Sequence, residues 1–166
     1  MTQLVVAMGI GSPSIYAAFG SKEDLFREAV ELYVSSEVEP AWRALEQVAD
    51  ARLAVREMFI GSIDAIAAPG STRGCLVMLG AGLLGGADES VRAFLREQRS
   101  LFRDRLVKRL SRGVEEGDIH PDSDLETLAD CILSFSGGLA IKAVDGATKA
   151  ALRQSAELFC RQIFTN

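Results

Sequence analysis

The sequence predicts an all-α protein, and three observations carry that prediction. Apolar residues recur at three- and four-residue intervals along nearly the whole chain of 166 residues, as in helices that bury one face. No run alternates convincingly at period two, so no β-sheet is expected. The periodic runs are separated by Gly, Pro, Ser and Asp of the kind that cap and stop helices. With 48% hydrophobic and 25% charged residues, the chain fits one globular domain, or one domain with a small appendage, and can bury a proper core.

The first two helices are short. Thr2–Met8 places Leu4 and Ala7 inward, Gly9-Ile10-Gly11 turns the chain, and Ser12–Phe19 places Ile15 and Phe19 inward. Helices of about two turns are marginal unless they pack on something. Ser21 then offers an N-cap, Glu23 and Asp24 sit at the positive end of the helix dipole, and Leu25, Phe26, Ala29, Val30 and Tyr33 recur at helical spacing. This helix is expected to end near Glu39-Pro40. A run over 50–67 sets Leu53, Phe59, Ile60, Ile63 and Ile66 largely on one side before Ala68-Pro69-Gly70-Ser71 breaks it. A shorter apolar helix over 75–84 is ended by Gly85-Gly86. Asp88 opens a long amphipathic helix to about Glu116, with Val91, Phe94, Leu95, Phe102, Leu106 and Leu110 on its inner face, and Gly117-Asp118 stops it. Two more helices, 124–144 and 148–164, join through Asp145-Gly146. The first carries Leu128, Ile132, Leu133, Phe135, Leu139 and Ile141 on a surface wider than one partner helix would cover. Ser136-Gly137-Gly138 in its middle lets another backbone approach closely.

Composition narrows the function. A net charge of −5 and a pI near 5.0 weigh against indiscriminate polyanion binding, while leaving room for a local DNA-reading patch. The opening MTQLVVAMGI has no basic group ahead of its apolar residues, and 75–87 is too short and glycine-rich to span a bilayer, so a cytoplasmic protein with no membrane partner is expected. Cys75, Cys131 and Cys160 stand far apart in apolar helical contexts and read as small buried hydrophobes rather than a disulfide framework. His120, the one histidine, lies in the polar loop GDIHPDSD without partner ligands or a nucleophile, so neither a metal site nor a triad is expected, and no enzyme and no cofactor. Gly80, Gly82, Gly85 and Gly86 resemble a phosphate cradle only superficially, because no strand precedes them. Between Arg92 and Arg112 eight basic residues face two acids, and Arg92, Arg96, Arg99 and Arg103 share one helix face. An anion-binding stripe fits that pattern; the solvated face of an amphipathic helix paired with nearby acids fits it better.

Residues 1–19 have the layout of a helix-turn-helix, whose second helix enters the major groove by its N-terminal end. Gly11, Ser12, Pro13 and Ser14 are small or polar, as close approach to DNA requires, and Pro13 suits a first helical turn. The string "AMGIGSPSIYAAFGSKEDLF", with Ile15, Tyr16, Phe19, Lys22, Glu23 and Leu25 in register, resembles the recognition segment of the TetR/AcrR family of transcriptional regulators. The later "TRGCLVMLGA" and the closing helical pair are similar in pattern only.

The resemblance implies a DNA-binding regulator, a repressor released from a palindromic operator by a small-molecule effector, with a coupling of roughly 1–3 kcal/mol between the two sites. It implies groove-facing positions at Gly11, Ser12, Pro13, Ser14 and Ala17, phosphate contacts from Tyr16 and Lys22, and core roles for Ile15 and Phe19. It further implies a DNA-binding part over 1–39, an effector-binding and dimerisation part over 40–166, and a homodimer through about 124–144 and 148–164. Candidate effector-pocket residues are Met58, Phe59, Ser62, Ile66, Met78, Phe94 and Phe102. Relatives usually carry Ser or Thr at the Gly11 position and often Arg at Ser12, and their long first helix has no counterpart before Met1. Lys22 and Arg27 against Glu23, Asp24 and Glu28 leave one net negative charge over residues 1–30, which is poor for phosphate neutralisation. A dimer that binds ligand without touching operator is therefore the alternative expectation.

Overall fold

The structure, a computed structural model, describes residues 1–68, 74–83 and 89–164, the side chains of 81–83 excepted. Helices α1 (Thr2–Met8) and α2 (Ser12–Phe19) meet at 87°. Gly9 makes the corner possible, since its φ of 66° is a left-handed conformation that other residues rarely adopt. Helix α3 (Lys22–Tyr33) starts where expected: the Ser21 hydroxyl accepts from the Asp24 amide at 3.0 Å and donates to the Asp24 carboxylate at 2.6 Å. Packing in this head departs from the expectation. Ile15 is buried, with 1% of its surface exposed, but Leu4 and Phe19 are only half-buried and Ala7 is exposed. The reason is a lack of cover: α2 rests on α3, while α1 packs closely on no described helix and buries no side chain.

Proline 40 does not end the helix, contrary to expectation. The chain passes from α3 through a π turn, Val34–Val38, into α4 (Glu39–Trp42) and α5 (Ala44–Gln47). Pro40 has no N–H to offer the Ser36 carbonyl, and its ring crowds that group. Widening the preceding turn to i→i+5 spacing, with the Glu39 amide donating to the Val34 carbonyl, relieves the conflict without breaking the rod. The Ser35 and Ser36 hydroxyls both donate to the Leu32 carbonyl, at 2.9 and 2.8 Å.

The body is built on α6 (Ala51–Ile66), which packs on α4, α5 and α10 (Lys149–Ile163), and on α8 (Glu89–Glu116), which packs on α7 (Leu76–Leu83) and α9 (Leu125–Val144). Asp50, Asp124 and Thr148 cap α6, α9 and α10 through side-chain acceptors. The breaks expected at 69–71 and 85–86, and the start at Asp88, lie outside the described residues. All six residues assigned to the inner face of the long helix are buried. Leu53 is not: it lies on the solvent side of α6, about 100° round the helix from the buried Ala54. Cys131 is likewise exposed, on the outward side of α9, whereas Cys75 and Cys160 are half-buried. Burial pushes the Cys160 thiol up to about 11, so it stays protonated.

The α6–α8 crossing depends on a glycine. A Cβ at Gly113 would stand 2.7 Å from the Ala51 Cβ and 3.1 Å from Ile119. Gly113→Ala is therefore expected to destabilise the fold by about 1–3 kcal/mol in urea unfolding, although alanine is the better helix former. At Gly137 and Gly138 an added Cβ would meet nothing within 4 Å, so the backbone approach those glycines permit is not made within the chain.

The basic stripe of α8 is mostly paired with acids, the second of the two readings above. Arg103 holds Asp130 and Glu126, Arg105 holds Glu39 and Glu46, and Arg96 holds Glu89. Arg109 differs, being 3% exposed. Its guanidinium donates to the Val48 and Ala49 carbonyls at 3.3 and 2.5 Å, and Glu116 and Asp118 lie at 3.6 and 3.8 Å. It thus ties the loop between α5 and α6 to the long helix.

Candidate functional site

Two places on the molecule carry the candidate residues. The first is the exposed end of α2. Gly11, the N-cap, is extended and offers no side-chain acceptor, and Pro13 occupies the first turn. Gly11, Pro13, Ser14, Tyr16 and Ala17 are exposed and Ser12 is half-buried, so the amino end of α2 faces solvent with room for a close partner. Lys22 is exposed at the first position of α3, held there by the Ser21–Asp24 cap. The Ser14 and Ile15 amides donate to the Gly11 carbonyl at 3.0 and 3.2 Å, so what this end offers a partner is close approach over small residues, with the exposed Tyr16 phenol and Lys22 ammonium, a chemistry suited to phosphate and base edges.

The second place is a cavity where α3, the π turn, α4, α6, α7, α8 and α9 converge. It has about 40 Å³ of room, enough for a few water molecules, so a larger guest must push side chains aside. Of the seven residues assigned to a pocket, Phe59, Ser62, Ile66, Met78 and Phe102 line this cavity. Met58 and Phe94 do not. Met58 is one step round α6 from Phe59 and sits in the core at 1% exposed, and Phe94 lies instead beneath Arg27, whose guanidinium carbon is 4.7 Å from the ring centroid.

The structure adds wall residues that sequence reading missed: Tyr33, Glu37, Val38, Trp42, Cys75, Ser136, Leu139 and others. Trp42 and Phe102 pack ring on ring, centroids 4.5 Å apart. Phe59 meets Phe135 and Phe159 edge-on, and those two stack at 4.1 Å. Burial and the hydrogen-bonded Cys75 thiol hold the Tyr33 hydroxyl well above its ordinary range, so it is a neutral phenol at any physiological pH.

Helix α3 touches both places. Lys22 begins it and Tyr33 ends it in the cavity wall, while Arg27 donates to the Ser90 carbonyl at 3.4 Å and Glu23 accepts from the Ser90 hydroxyl at 2.9 Å. A bent pair of short helices with a free recognition end, joined by one rod to an all-helical body, is the build of a helix-turn-helix regulator.

Comparison with known proteins agrees. Residues 51–158 match the family described as Tetracyclin repressor-like, C-terminal domain. A cysteine mutant of the TetR family transcriptional regulator CifR, complexed with 26-bp double-strand operator DNA, is 34% identical, with a TM-score of 0.91 over 98% of this chain and 85% of that one. The HTH-type transcriptional repressor ComR of Escherichia coli (strain K12) is 24% identical over 159 residues, 94% of this chain and 75% of ComR. The regulator FadR of Bacillus subtilis, solved in complex with stearoyl-CoA, is 15% identical with a TM-score of 0.79 over 99% of this chain and 88% of that one, a likeness of fold alone. The chain belongs to the TetR family of transcriptional regulators.

Proposed function

We propose that this regulator is a repressor that reads a two-fold symmetric operator as a homodimer and leaves it when a small molecule enters the cavity. The observation that carries this reading is the course of α3, a single helix with Lys22 at the DNA-facing end and Tyr33 in the cavity wall. A guest that displaces Tyr33 acts on the rod that sets the position of α2, and so biases two states of the head. Gly11, Ser12, Pro13, Ser14 and Ala17 face the groove in this reading, Tyr16 and Lys22 hold phosphates, and residues 1–39 and 40–166 divide the work.

The dimer would form through α9 and α10. Cys131, Ser134, Gly138 and Ile141 line the exposed side of α9 at spacings of three and four, and Ala151, Ser155, Leu158 and Gln162 do the same on α10. Such paired stripes suit a bundle with a second copy. By length and composition α9 could also cross a membrane, with 28% of its apolar window buried in the chain; the same uncovered face is what the partner copy would take up.

Selection from a random double-stranded DNA pool tests the reading. The expected product is a palindrome with half-sites about one helical turn, or a multiple of it, apart. Tyr16→Phe and Lys22→Ala should each then cost on the order of 1 kcal/mol of affinity for the selected duplex, and the lysine change alone should flatten the salt dependence by about one unit of slope. A second reading, a ligand-binding dimer that ignores operator DNA, is favoured by α1, which buries no side chain. No enrichment of any sequence would establish it over the first.

A further inference from the structure

We infer that the cavity selects a small lipophilic cation: an onium or protonated amine with an aromatic or branched aliphatic body. This inference rests on the cavity being the effector site and goes on to name the class of effector. Among the fifteen described lining residues, Glu37 is the one charged side chain, and none of these is Lys, Arg or His. Glu37 is exposed while lining the cavity, so it stands at the rim, and it has no ion pair among the described residues. Two of the bases on α8 are held elsewhere. Arg105 is clasped by Glu39 and Glu46, and Arg99 donates to the Val77 carbonyl at 2.9 Å. With Asp104 and Lys108 of the adjoining cleft included, Glu37, Glu39, Glu46 and Asp104 against Arg105 and Lys108 leave the described rim negative.

Behind Glu37 the wall is made of rings. Tyr33, Trp42, Phe59 and Phe102 all line the space, and ring faces attract a cation that has shed part of its water. An anion entering here would lose its hydration and meet a carboxylate, with no base among the described lining residues to compensate. The neutral polar groups do not change the sign: the Ser136 hydroxyl is engaged by the Ile132 carbonyl at 3.0 Å, and the Tyr33 phenol by Cys75. A carboxylate at the mouth and aromatic rings within therefore favour positive charge and an apolar body together.

Three probes of nearly one shape separate charge from fit: phenyltrimethylammonium, its neutral isostere tert-butylbenzene, and benzenesulfonate. Trp42 is the chain's one tryptophan and part of the wall, so its emission, excited where the probes do not absorb, reads binding. The expected order is phenyltrimethylammonium at least tenfold tighter than tert-butylbenzene, with benzenesulfonate weakest. Glu37→Gln, at an exposed position, should weaken the cation several-fold, leaving only the part of its lead that the rings supply, and leave tert-butylbenzene unchanged. Equal or tighter binding of tert-butylbenzene, or a cation affinity indifferent to Glu37→Gln, overturns the charge inference and leaves the cavity as an effector site. Silence of Trp42 toward all three removes the inference and the cavity reading together.

Discussion

Ile141→Glu is expected to turn the regulator into a folded monomer. Ile141 is 52% exposed on α9 and Leu158 is 53% exposed on α10, so within one chain the substitution disturbs little; against a second copy it would place two carboxylates in an apolar seam. Sedimentation should fall from about twice the chain mass of 17.9 kDa to the chain mass itself, with helical circular dichroism retained. Operator affinity should drop by about 100-fold or more, because a dimer's second half-site binds at the effective concentration set by the first. A variant that stays dimeric would show that α9 and α10 are not the seam.

Phe59→Ala should be the most damaging single truncation in the body. The ring is 1% exposed and stands edge-on to both Phe135 and Phe159, so its loss opens a void among three helices, α6, α9 and α10. Burial of a ring this size, with two aromatic partners, is worth about 3–5 kcal/mol on truncation. Urea unfolding at matched temperature measures it. The same change should blunt the response of Trp42 emission to an apolar guest, since Phe59 also lines the cavity. Phe102→Ala should do so as well, with its ring against Trp42 removed.

The parts of this molecule that local chemistry specifies were legible in its sequence. Ser21, Asp50, Asp124 and Thr148 each read as the start of a helix, and each caps one through its side chain. The buried face of α8 was visible because 28 residues of regular helix leave little doubt about phase. The surface chemistry of α2 could be read because the turn, the proline and the tyrosine lie within a few residues of one another. The cavity wall was harder, because it is assembled from seven elements. Met58 and Phe59 differ by one residue and about 100° of rotation, so a pattern that marks both as inward cannot say which meets empty space. Arg109 looked like another member of a solvated stripe, and its burial is decided by the Val48 and Ala49 carbonyls across the crossing. Nothing in the neighbourhood of Arg109 in sequence announces those carbonyls.

Tyr33 and Trp42 stand nine residues apart, about two and a half turns of α-helix, and in an unbroken helix they would point in opposite directions. Both line the cavity because the Val34–Val38 turn holds one residue more than a regular turn does. That surplus residue is a phase correction, and it makes the segment the natural place for length variation. A one-residue deletion anywhere else in α6 or α8 would rotate everything beyond it by about 100° and strip the core of its inward face. A deletion at Ser35 combined with Pro40→Ala would instead return a regular helix with the pair eight residues apart, about 80° of net rotation, so α3 and α4 stay continuous and both rings keep facing the cavity. Aligned end to end, relatives that lack a proline here should fall one position out of step across these five residues. Their cavities would then keep the same wall positions, so that a single codon can be gained or lost in this turn without moving the face that a guest meets.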